Sequence, residues 1–276
     1  MVVSFLLIYF SLGYTIYIST LEWDGISPDQ RSVGIDNYLR ALTEPVFWGA
    51  LSHTGVYLVS TFVGQTFFGF LFAVILHSTV RLRGLYKVIV FVPVIIAPAI
   101  MAPVFRQIFA NDGQFNGALE GIGLGFLAQP WLAQSSTALP VIIAIAIWQH
   151  TGLYFVLYYA AISQIDSEML EAARLDGAGN ARVMWNIIWP QLRGTTIALA
   201  MLGTINALKL FDIPELVTHG GPNYSTEFLG TYIYRESIPL YDVGYGAALS
   251  IFLLVFAIGT AVLFSLRGRQ STTKGA

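Results

Sequence analysis

The chain has 276 residues, of which 55% are hydrophobic and 11% are charged, and its formal net charge at pH 7 is −2. A mean hydropathy of +0.66 at this length excludes an ordinary water-soluble domain and predicts an integral membrane protein. The absence of cysteine excludes disulfides, thiol catalysis and thiolate metal sites.

Six charge-poor runs are long enough to cross the hydrocarbon core of a bilayer, which is roughly 30 Å thick. They cover residues 2–20, 54–76, 88–105, 138–162, 195–211 and 243–266. The first run follows no Lys or Arg and has no small-residue cleavage site, so we expect a retained helix and not a signal peptide. The sequence therefore predicts an all-α fold of about six transmembrane helices, with residues 1–276 forming one transmembrane domain.

The connection between the first two runs, GIDNYLRALTEPVFWGAL, has the pattern of a short helix. Ile35, Tyr38 and Leu42 recur at helical spacing, and Phe47 and Trp48 follow them. Aromatic side chains of this kind concentrate at membrane–water interfaces. We expect a short helix on the outer surface of the membrane with an aromatic anchor.

Three prolines, Pro93, Pro98 and Pro103, punctuate the third run. Each lacks a backbone donor and disfavours regular helix, so we expect this element to be bent or locally unwound. Non-helical backbone at membrane depth is tolerated only against protein or a wet cavity. Both a functional hinge and a static kink fit the pattern.

Polar residues interrupt the fourth run and the end of the fifth run, where they are costly and usually face a path or a partner. The candidates for a substrate path are Trp148, Gln149, His150, Asn206 and Lys209. An aromatic ring beside amide and imidazole groups suits a sugar, which has apolar faces and hydroxyl rims. Two alternatives stay open: Lys209 can form an i,i+3 ion pair with Asp212, and His150 can bond to a neighbouring helix.

A polar segment at about residues 164–193 separates the fourth and fifth runs. Asp166 or Ser167 can cap a short helix by accepting from its first backbone N–H groups. Glu168 and Glu171 then lie in the first turns, where the helix dipole favours negative charge. The segment is acidic, whereas a helix resting on the membrane surface would need basic residues in excess. We therefore predict a docking loop.

The middle of this polar segment has the pattern of a sharp corner. Ala172 and Ala173 are strong helix formers with little bulk, which allows a partner to approach the backbone closely. Gly177 supplies the conformational freedom needed at a helix C-terminus. A second short helix is expected from about 180 to 188, with a break at Pro190 before the next apolar helix.

The basic residues predict which side of the membrane each segment faces. Placing the N-terminus inside puts nine of the fourteen Lys and Arg residues in the cytoplasm. These nine are Arg81, Arg83, Lys87, Arg174, Arg182, Arg193, Arg267, Arg269 and Lys274. Both termini and the polar segment are then expected to be cytoplasmic.

The polar segment carries a motif whose residues, in order, are Glu171, Ala172, Ala173, Gly177, Ile187 and Pro190. It resembles the EAA loop of permease subunits in binding-protein-dependent ABC importers. The GIDNY sequence resembles the GLDNY segment of sugar permeases, and the GGP sequence within residues 218–234 resembles an external loop of the same subunits. The resemblance covers roughly residues 20–266 and departs at Trp189, where the family usually has Leu, and at Asp166, where it often has Pro.

This resemblance implies a type I importer-like fold and a set of partners. The EAA-like loop would contact a separate ATPase through Glu171, Ala172, Ala173, Asp176 and Gly177. The implied partners are a second related permease subunit, two ABC ATPase subunits, an extracytoplasmic solute-binding protein, the sugar and membrane lipid, with no nucleic acid. The implied location is the prokaryotic plasma membrane. By position, the two polar clusters match segments that line the sugar site in maltose-type permeases.

Together these features predict a transport subunit and not an enzyme, with no catalytic residues and no metal site. No GxxxxGK[ST] motif occurs, so ATP and Mg²⁺ would be bound by the partner ATPase. The expected function is ATP-driven import of a carbohydrate, a di- or oligosaccharide, with glycerol 3-phosphate or a related polyol phosphate as the alternative. A secondary transporter is a more distant alternative because the clear runs contain no Asp or Glu for ion coupling. A membrane enzyme is disfavoured because the four histidines are widely scattered.

Overall fold

The computed structural model describes the backbone of residues 2–77 and 81–272, and the side chains of residues 5–77 and 81–263. Within these residues the chain is largely helical, which confirms the all-α prediction. The helices are α1 (Val2–Ile18), α2 (Asp36–Thr43), α3 (Pro45–His77), α4 (Arg83–Ile95), α5 (Pro98–Ile108), α6 (Gln114–Gly121), α7 (Ser135–Ile162), α8 (Ser167–Leu175), α9 (Asn180–Val183), α10 (Trp189–Gln191), α11 (Arg193–Leu208), α12 (Asp212–Thr218), α13 (Leu229–Ser237) and α14 (Val243–Thr272). The other regular elements are a π-helix (Met184–Ile188), a 3₁₀ turn (Gly125–Leu127) and two antiparallel strands, β1 (Leu21–Glu22) and β2 (Arg31–Ser32).

Three helices in the described residues are long and apolar enough to cross a membrane, namely α3, α7 and the Val243–Leu263 part of α14. Two pairs, α4 with α5 and α11 with α12, pass the same test together, although each pair is bent at a break of four residues or fewer. The apolar helix Phe5–Ile18 is shorter. The described residues thus supply three to five candidate spans, fewer than the six runs in the sequence, because two runs are broken and the first is short.

The three prolines of the third run produce the expected break. Helix α4 ends at Ile95, and α5 begins at Pro98, where a missing N–H costs nothing because the first helical residues have no intrahelical acceptor. The residue before a proline is pushed out of the helical region, so Ala97 cannot continue α4. The predicted bend in this element is therefore confirmed, and it leaves the backbone of Ile96 outside both helices.

The described chain separates into two compact units, each discontinuous in sequence. The first unit comprises Met1–Tyr57, Pro98–Ile142 and Ile205–Arg269, and the second comprises mainly Leu58–Ala97 and Ile143–Thr204. The single transmembrane domain expected over residues 1–276 stays a prediction. So does the predicted topology; of its nine cytoplasmic basic residues, Lys274 and the side chains of Arg267 and Arg269 lie outside the described residues.

In the first unit, the core forms where α2 and the start of α3 meet α13 and α14. The predicted short helix exists as α2, but its buried residues are Asn37 and Ala41, while Ile35 and Leu42 are exposed. The Asn37 side-chain amide donates to the carbonyls of Ser19 and Leu21, at 3.0 and 2.9 Å, and so ties α2 to the preceding chain.

Phe47 was expected to anchor this short helix at the membrane interface, and that expectation is wrong. Phe47 belongs to α3, which begins at Pro45, and its side chain is buried against Leu229, Tyr232 and Leu249. An aromatic side chain gains more from full burial in an apolar core than from a half-wet interface. Trp48, the next residue, is exposed.

The core of the second unit joins α3, α7 and α11. Phe70, Tyr154, Tyr158 and Leu199 are buried together, and the Tyr154 hydroxyl donates to the carbonyl of Leu199 at 3.3 Å. Gly152 lets α4 approach α7 closely, since a Cβ there would lie 2.5 Å from the carbonyl oxygen of Val90. These contacts hold α7 and α11, the two helices that the polar segment connects.

Candidate functional site

The first half of the polar segment is helix α8, capped at both ends. Asp166 accepts a hydrogen bond from the backbone N–H of Glu168 at 2.9 Å, which confirms the predicted N-cap. At the other end the Gly177 N–H donates to Arg174 and the Ala178 N–H donates to Ala173, both at 3.0 Å. Gly177 has φ +80°, so the end of α8 is a Schellman motif with a left-handed glycine. The predicted corner at Gly177 is confirmed.

The second half of the segment is longer than predicted and contains a π-helix. Helix α9 begins at Asn180 as expected, and the chain then continues through the π-helix and α10 to Gln191. Because Pro190 has no N–H, the α-helical bond back to Asn186 cannot form. The helix widens instead, and the Trp189 N–H donates to the carbonyl of Met184 in the i→i+5 pattern. The break falls at Leu192, two residues beyond the proline at which it was expected.

Most side chains of α8 are exposed, and only Leu170 and Ala173 are half-buried. The predicted contact residues Glu171, Ala172 and Asp176 are exposed, and so is Gly177, whereas Ala173 is half-buried. This placement leaves the predicted contact surface open over most of its length.

Leu175 is a surface residue that the sequence reasoning missed. Its side chain is 89% exposed, although it is a large aliphatic group at the end of α8. It lies four residues after Glu171 and therefore on the same helix face. A large aliphatic residue between Arg174 and Asp176, two positions before the C-terminal glycine, is the signal that could have identified it.

Packed aromatic rings hold the end of the polar segment against α3 within the second unit. Trp189 lies on Phe70 with a ring-centroid distance of 5.0 Å and near Trp185 at 5.9 Å. The side chain at position 189 thus fills space beside the Phe70 core, where the leucine usual in the resembled family would be smaller.

Helix α7, in the second unit, carries Trp148, Gln149 and His150, and each side chain has a different environment. The Trp148 ring lines a cavity of about 490 Å³ whose other walls are mainly apolar, including Phe68 and Val90. Gln149 is buried, and its Nε2 donates to the carbonyl of Ile96 at 3.1 Å, the carbonyl left free by the break before α5. Its Oε1 has no hydrogen-bond partner in the described part of the chain. The Nδ1 of His150 lies 3.2 Å from the carbonyl of Ala146 in its own helix.

Asn206 and Lys209 lie in the first unit, around the end of α11. Both side chains are exposed. Lys209 makes no ion pair with Asp212, so the alternative of a local i,i+3 pair finds no support in the described residues. Their role in a substrate path stays a prediction.

A buried ion-pair group in the first unit was missed by the sequence reasoning; we call it the Arg235 network. Glu227 is 2% exposed, accepts from the Thr231 hydroxyl at 2.7 Å and pairs with Arg235 at 2.5 Å. Arg235 also reaches Glu236 at 3.4 Å. Burial raises the pKa of the Glu227 carboxyl above its ordinary value, and the Thr231 hydrogen bond and the Arg235 charge only partly oppose the rise.

The Arg235 network extends to the short helix α2 through Arg40. Arg40 pairs with Asp242 at 2.6 Å and with Glu236 at 3.8 Å, and its guanidinium lies 3.9 Å from the centre of the Tyr245 ring. Gly220 is needed beside this group, because a Cβ there would lie 2.6 Å from the Glu227 carboxylate oxygen. In the sequence these acidic and basic residues lie outside the apolar runs, and their spacing does not indicate which of them are paired.

The described chain thus combines apolar helices, two pairs of them bent at short breaks, with an exposed, capped helix–corner–helix segment. The chain belongs to the family of binding-protein-dependent transport system inner membrane components, whose family model matches residues 65–269. Family membership favours a transport permease over the secondary transporter and the membrane enzyme considered from the sequence.

Named relatives and a solved structure agree with this assignment. The chain is 30% identical to the probable ABC transporter permease protein YurN of Bacillus subtilis, over 95% of this chain and 90% of that protein. It is also 30% identical to the diacetylchitobiose uptake system permease protein NgcF of Streptomyces coelicolor, over 97% of this chain and 78% of that protein. A chain in a bacterial ABC transporter involved in import of the acidic polysaccharide alginate superposes with a TM-score of 0.83 at 22% identity, covering 98% of this chain and 92% of that chain. This last match concerns the fold.

Proposed function

We propose that this permease imports a carbohydrate, a di- or oligosaccharide, driven by ATP hydrolysis in a separate ATPase. The observation that carries the proposal is family membership together with the relatives' names, since NgcF is a diacetylchitobiose permease and the structural neighbour serves alginate import. Glycerol 3-phosphate is not favoured, because a dianion would need more fixed positive charge than Lys209 supplies.

The polar segment is the proposed contact with that ATPase. It is a capped helix with an exposed acid, Glu171, and an exposed leucine, Leu175, on one face. Exposed apolar area rimmed by charge is the usual composition of a protein docking surface. The ATPase would bind ATP and Mg²⁺. The working complex would contain a second permease, two ATPase subunits and an extracytoplasmic binding protein, with both termini of this chain in the cytoplasm.

The experiment that tests the coupling role compares Glu171→Ala with a matched exposed acid, Glu120→Ala on α6. Glu171→Ala would remove one partner of a largely desolvated pair and weaken docking by about 2 to 5 kcal/mol. We expect the ATPase to be lost from the purified complex and sugar uptake into vesicles to collapse, while Glu120→Ala behaves as wild type. Normal ATPase yield and normal uptake in Glu171→Ala would refute the coupling role.

Trp148, Gln149, His150, Asn206 and Lys209 remain our candidates for the sugar path. Gln149 has the clearest support, because its Oε1 is buried without a partner and can accept from a sugar hydroxyl. Buried acceptors without partners are uncommon in native proteins, so this one calls for a ligand or a second conformation.

Gln65 provides a matched control for the path, since it is also a buried glutamine in the second unit. Its Nε2 donates to the carbonyl of Ala146 at 3.1 Å, and its role is helix packing. We expect Gln149→Ala to weaken sugar retention by about 1 to 3 kcal/mol while the complex still assembles. Gln65→Ala should lower thermal stability without changing which sugars are accepted. If both variants alter only stability, Gln149 is a packing residue and the path runs elsewhere.

A further inference from the structure

A cavity of about 510 Å³ lies directly behind helix α8, in the second unit. Its walls come from the ends of α3 and α7, from α8 and α9, and from the π-helix. The lining residues are Val74, His77, Ile162, Leu170, Arg174, Asn180, Val183, Met184 and Ile188. Leu170 and Arg174 are four residues apart, so one face of α8 closes the cavity, next to the face that carries Glu171.

The polar groups of this cavity can each donate a hydrogen bond. They are the guanidinium of Arg174, the imidazole of His77 and the side-chain amide of Asn180, and no carboxylate is among the lining residues. In the described part of the chain neither Arg174 nor His77 forms an ion pair with an acidic side chain. Such a set of donors without a counter-charge is the composition of an anion site.

Lys87 contacts the same aromatic ring as His77. The His77 ring is 5.8 Å from the Tyr159 ring, and the Lys87 Nζ lies 3.6 Å from the centre of that same Tyr159 ring. The cation–π contact holds Lys87 in place without neutralising it. Arg174 is therefore the charged group that lines the cavity, with His77 and Asn180 as its polar neighbours, and the other walls are apolar.

We propose that this cavity binds a phosphate ester with an apolar body. The phosphate would meet Arg174, His77 and Asn180, and the apolar part would lie against Leu170, Val183 and the other aliphatic walls. The volume falls in the range of about 300 to 1,000 Å³ typical of small-molecule sites. A phosphate, with up to two negative charges and several acceptor oxygens, matches this donor set better than a carboxylate does.

Occupancy of this cavity would affect α8 directly, because Leu170 and Arg174 belong to the proposed docking helix. A bound anion would join α8 to the ends of α3 and α9 and hold it in one position. This regulatory consequence rests on the coupling role proposed above, whereas binding itself does not. Binding and coupling are therefore measured separately.

The test uses the whole transporter in nanodiscs made only of phosphatidylcholine, with hexyl phosphate as the probe and hexanol as the uncharged control. Arg174→Gln removes the central cation, and Arg182→Gln removes an exposed cation of the same segment that does not line the cavity. We expect calorimetric binding of hexyl phosphate to wild type and to Arg182→Gln, about tenfold weaker binding to Arg174→Gln, and no binding of hexanol.

Three outcomes would overturn the proposal: equal affinity in wild type and Arg174→Gln, equal loss in both arginine variants, or no binding to the complex with the ATPase in place. A second arm identifies the source of the phosphate. Competition when phosphatidylglycerol is added to the nanodiscs assigns the site to a lipid headgroup, and undiminished binding assigns it to a soluble ester. If hexyl phosphate binds as expected but ATPase activity in the complex does not respond, the anion site stands and its regulatory effect on α8 fails, while the coupling role is decided by Glu171→Ala.

Discussion

Two charged regions of this permease are organised in opposite ways. In the Arg235 network, the buried Glu227 finds its partner inside the chain, and the acids and bases around it are paired at distances between 2.5 and 3.8 Å. In the polar segment, Glu171 and Asp176 are exposed, and no ion pair involves them in the described residues.

The two regions find their partners in different places. Internal pairs that are desolvated constrain the fold, since breaking one leaves a charge without water. Exposed charges beside an exposed leucine contribute little to the fold and are available to a second protein. The Arg235 network should therefore respond to mutation in stability, and the polar segment should respond in docking.

Replacing the basic residue of the Arg235 network is expected to have the largest effect on stability. Arg235→Gln leaves the Glu227 carboxylate buried without a counter-charge and should destabilise the fold by about 3 to 5 kcal/mol. Glu227→Gln removes the buried charge itself and should cost clearly less. Thermal unfolding of the two purified variants in one detergent measures the difference, and equal losses would show that the pair is not desolvated in the folded protein.

The pH dependence of the Arg235→Gln variant tests whether its instability comes from the buried Glu227 charge. The folded-state pKa of Glu227 is already raised by burial, and removing Arg235 raises it further. A carboxyl whose folded pKa exceeds its unfolded pKa loses stability as the pH rises through the folded value. The variant should therefore regain stability on acidification, and Glu227→Gln should show a smaller recovery, because only the Glu236 carboxyl of the Arg235 network then has a pKa raised by burial. A variant that is equally unstable at every pH would contradict this assignment.

Leu175→Ala tests the docking role of the polar segment, and its expected effect on docking is smaller than the effect of Arg235→Gln on stability. Because the side chain is 89% exposed, its removal should leave the melting temperature of the permease unchanged. If the ATPase covers it, docking should weaken by about 1.5 to 3 kcal/mol, the cost of losing a buried leucine. Ile26→Ala, a comparably exposed aliphatic residue in the first unit, serves as the control. A lower melting temperature with normal docking would reverse the interpretation.

Gly177→Ala and Gly179→Ala should give the smallest and most specific difference. Both glycines have open space where a Cβ would stand, but Gly177 has φ +80° and Gly179 has φ −68°. Only the first substitution forces an L-residue into the left-handed region, at about 1 to 2 kcal/mol. We expect Gly177→Ala to weaken docking and to expose the segment to limited proteolysis, with no effect from Gly179→Ala. Identical behaviour of both variants would mean that the corner conformation is not needed.

The parts of the structure that the sequence predicted well depend on neighbours in the chain. The N-cap at Asp166, the left-handed Gly177 and the break before Pro98 each follow from the backbone chemistry of a few adjacent residues. The misses depend on distant partners. Phe47 is buried because α13 and α14 cover it, and Arg40 is paired with Asp242, which lies 202 residues further along the chain.

Gln149 shows why the substrate path was harder to predict than the polar segment. A polar residue in an apolar run indicates that its side chain has a partner, without saying which partner. Here one partner is the carbonyl of Ile96, which is free because prolines break a different helix. The sequence of α7 contains no information about that carbonyl. The unpartnered Oε1 of Gln149 is likewise evident only from the three-dimensional structure.

The π-helix at Met184–Ile188 makes the number of residues in this stretch as important as their identity. One i→i+5 turn holds one residue more than the corresponding α-helical turn. Deleting a single residue there would restore ordinary helix and rotate everything before it by about 100° relative to α11. The face of α8 that carries Glu171 and Leu175 would then point in another direction, with every side chain intact. Single-residue insertions and deletions between Val183 and Trp189 should therefore be far less tolerated than substitutions at the same positions.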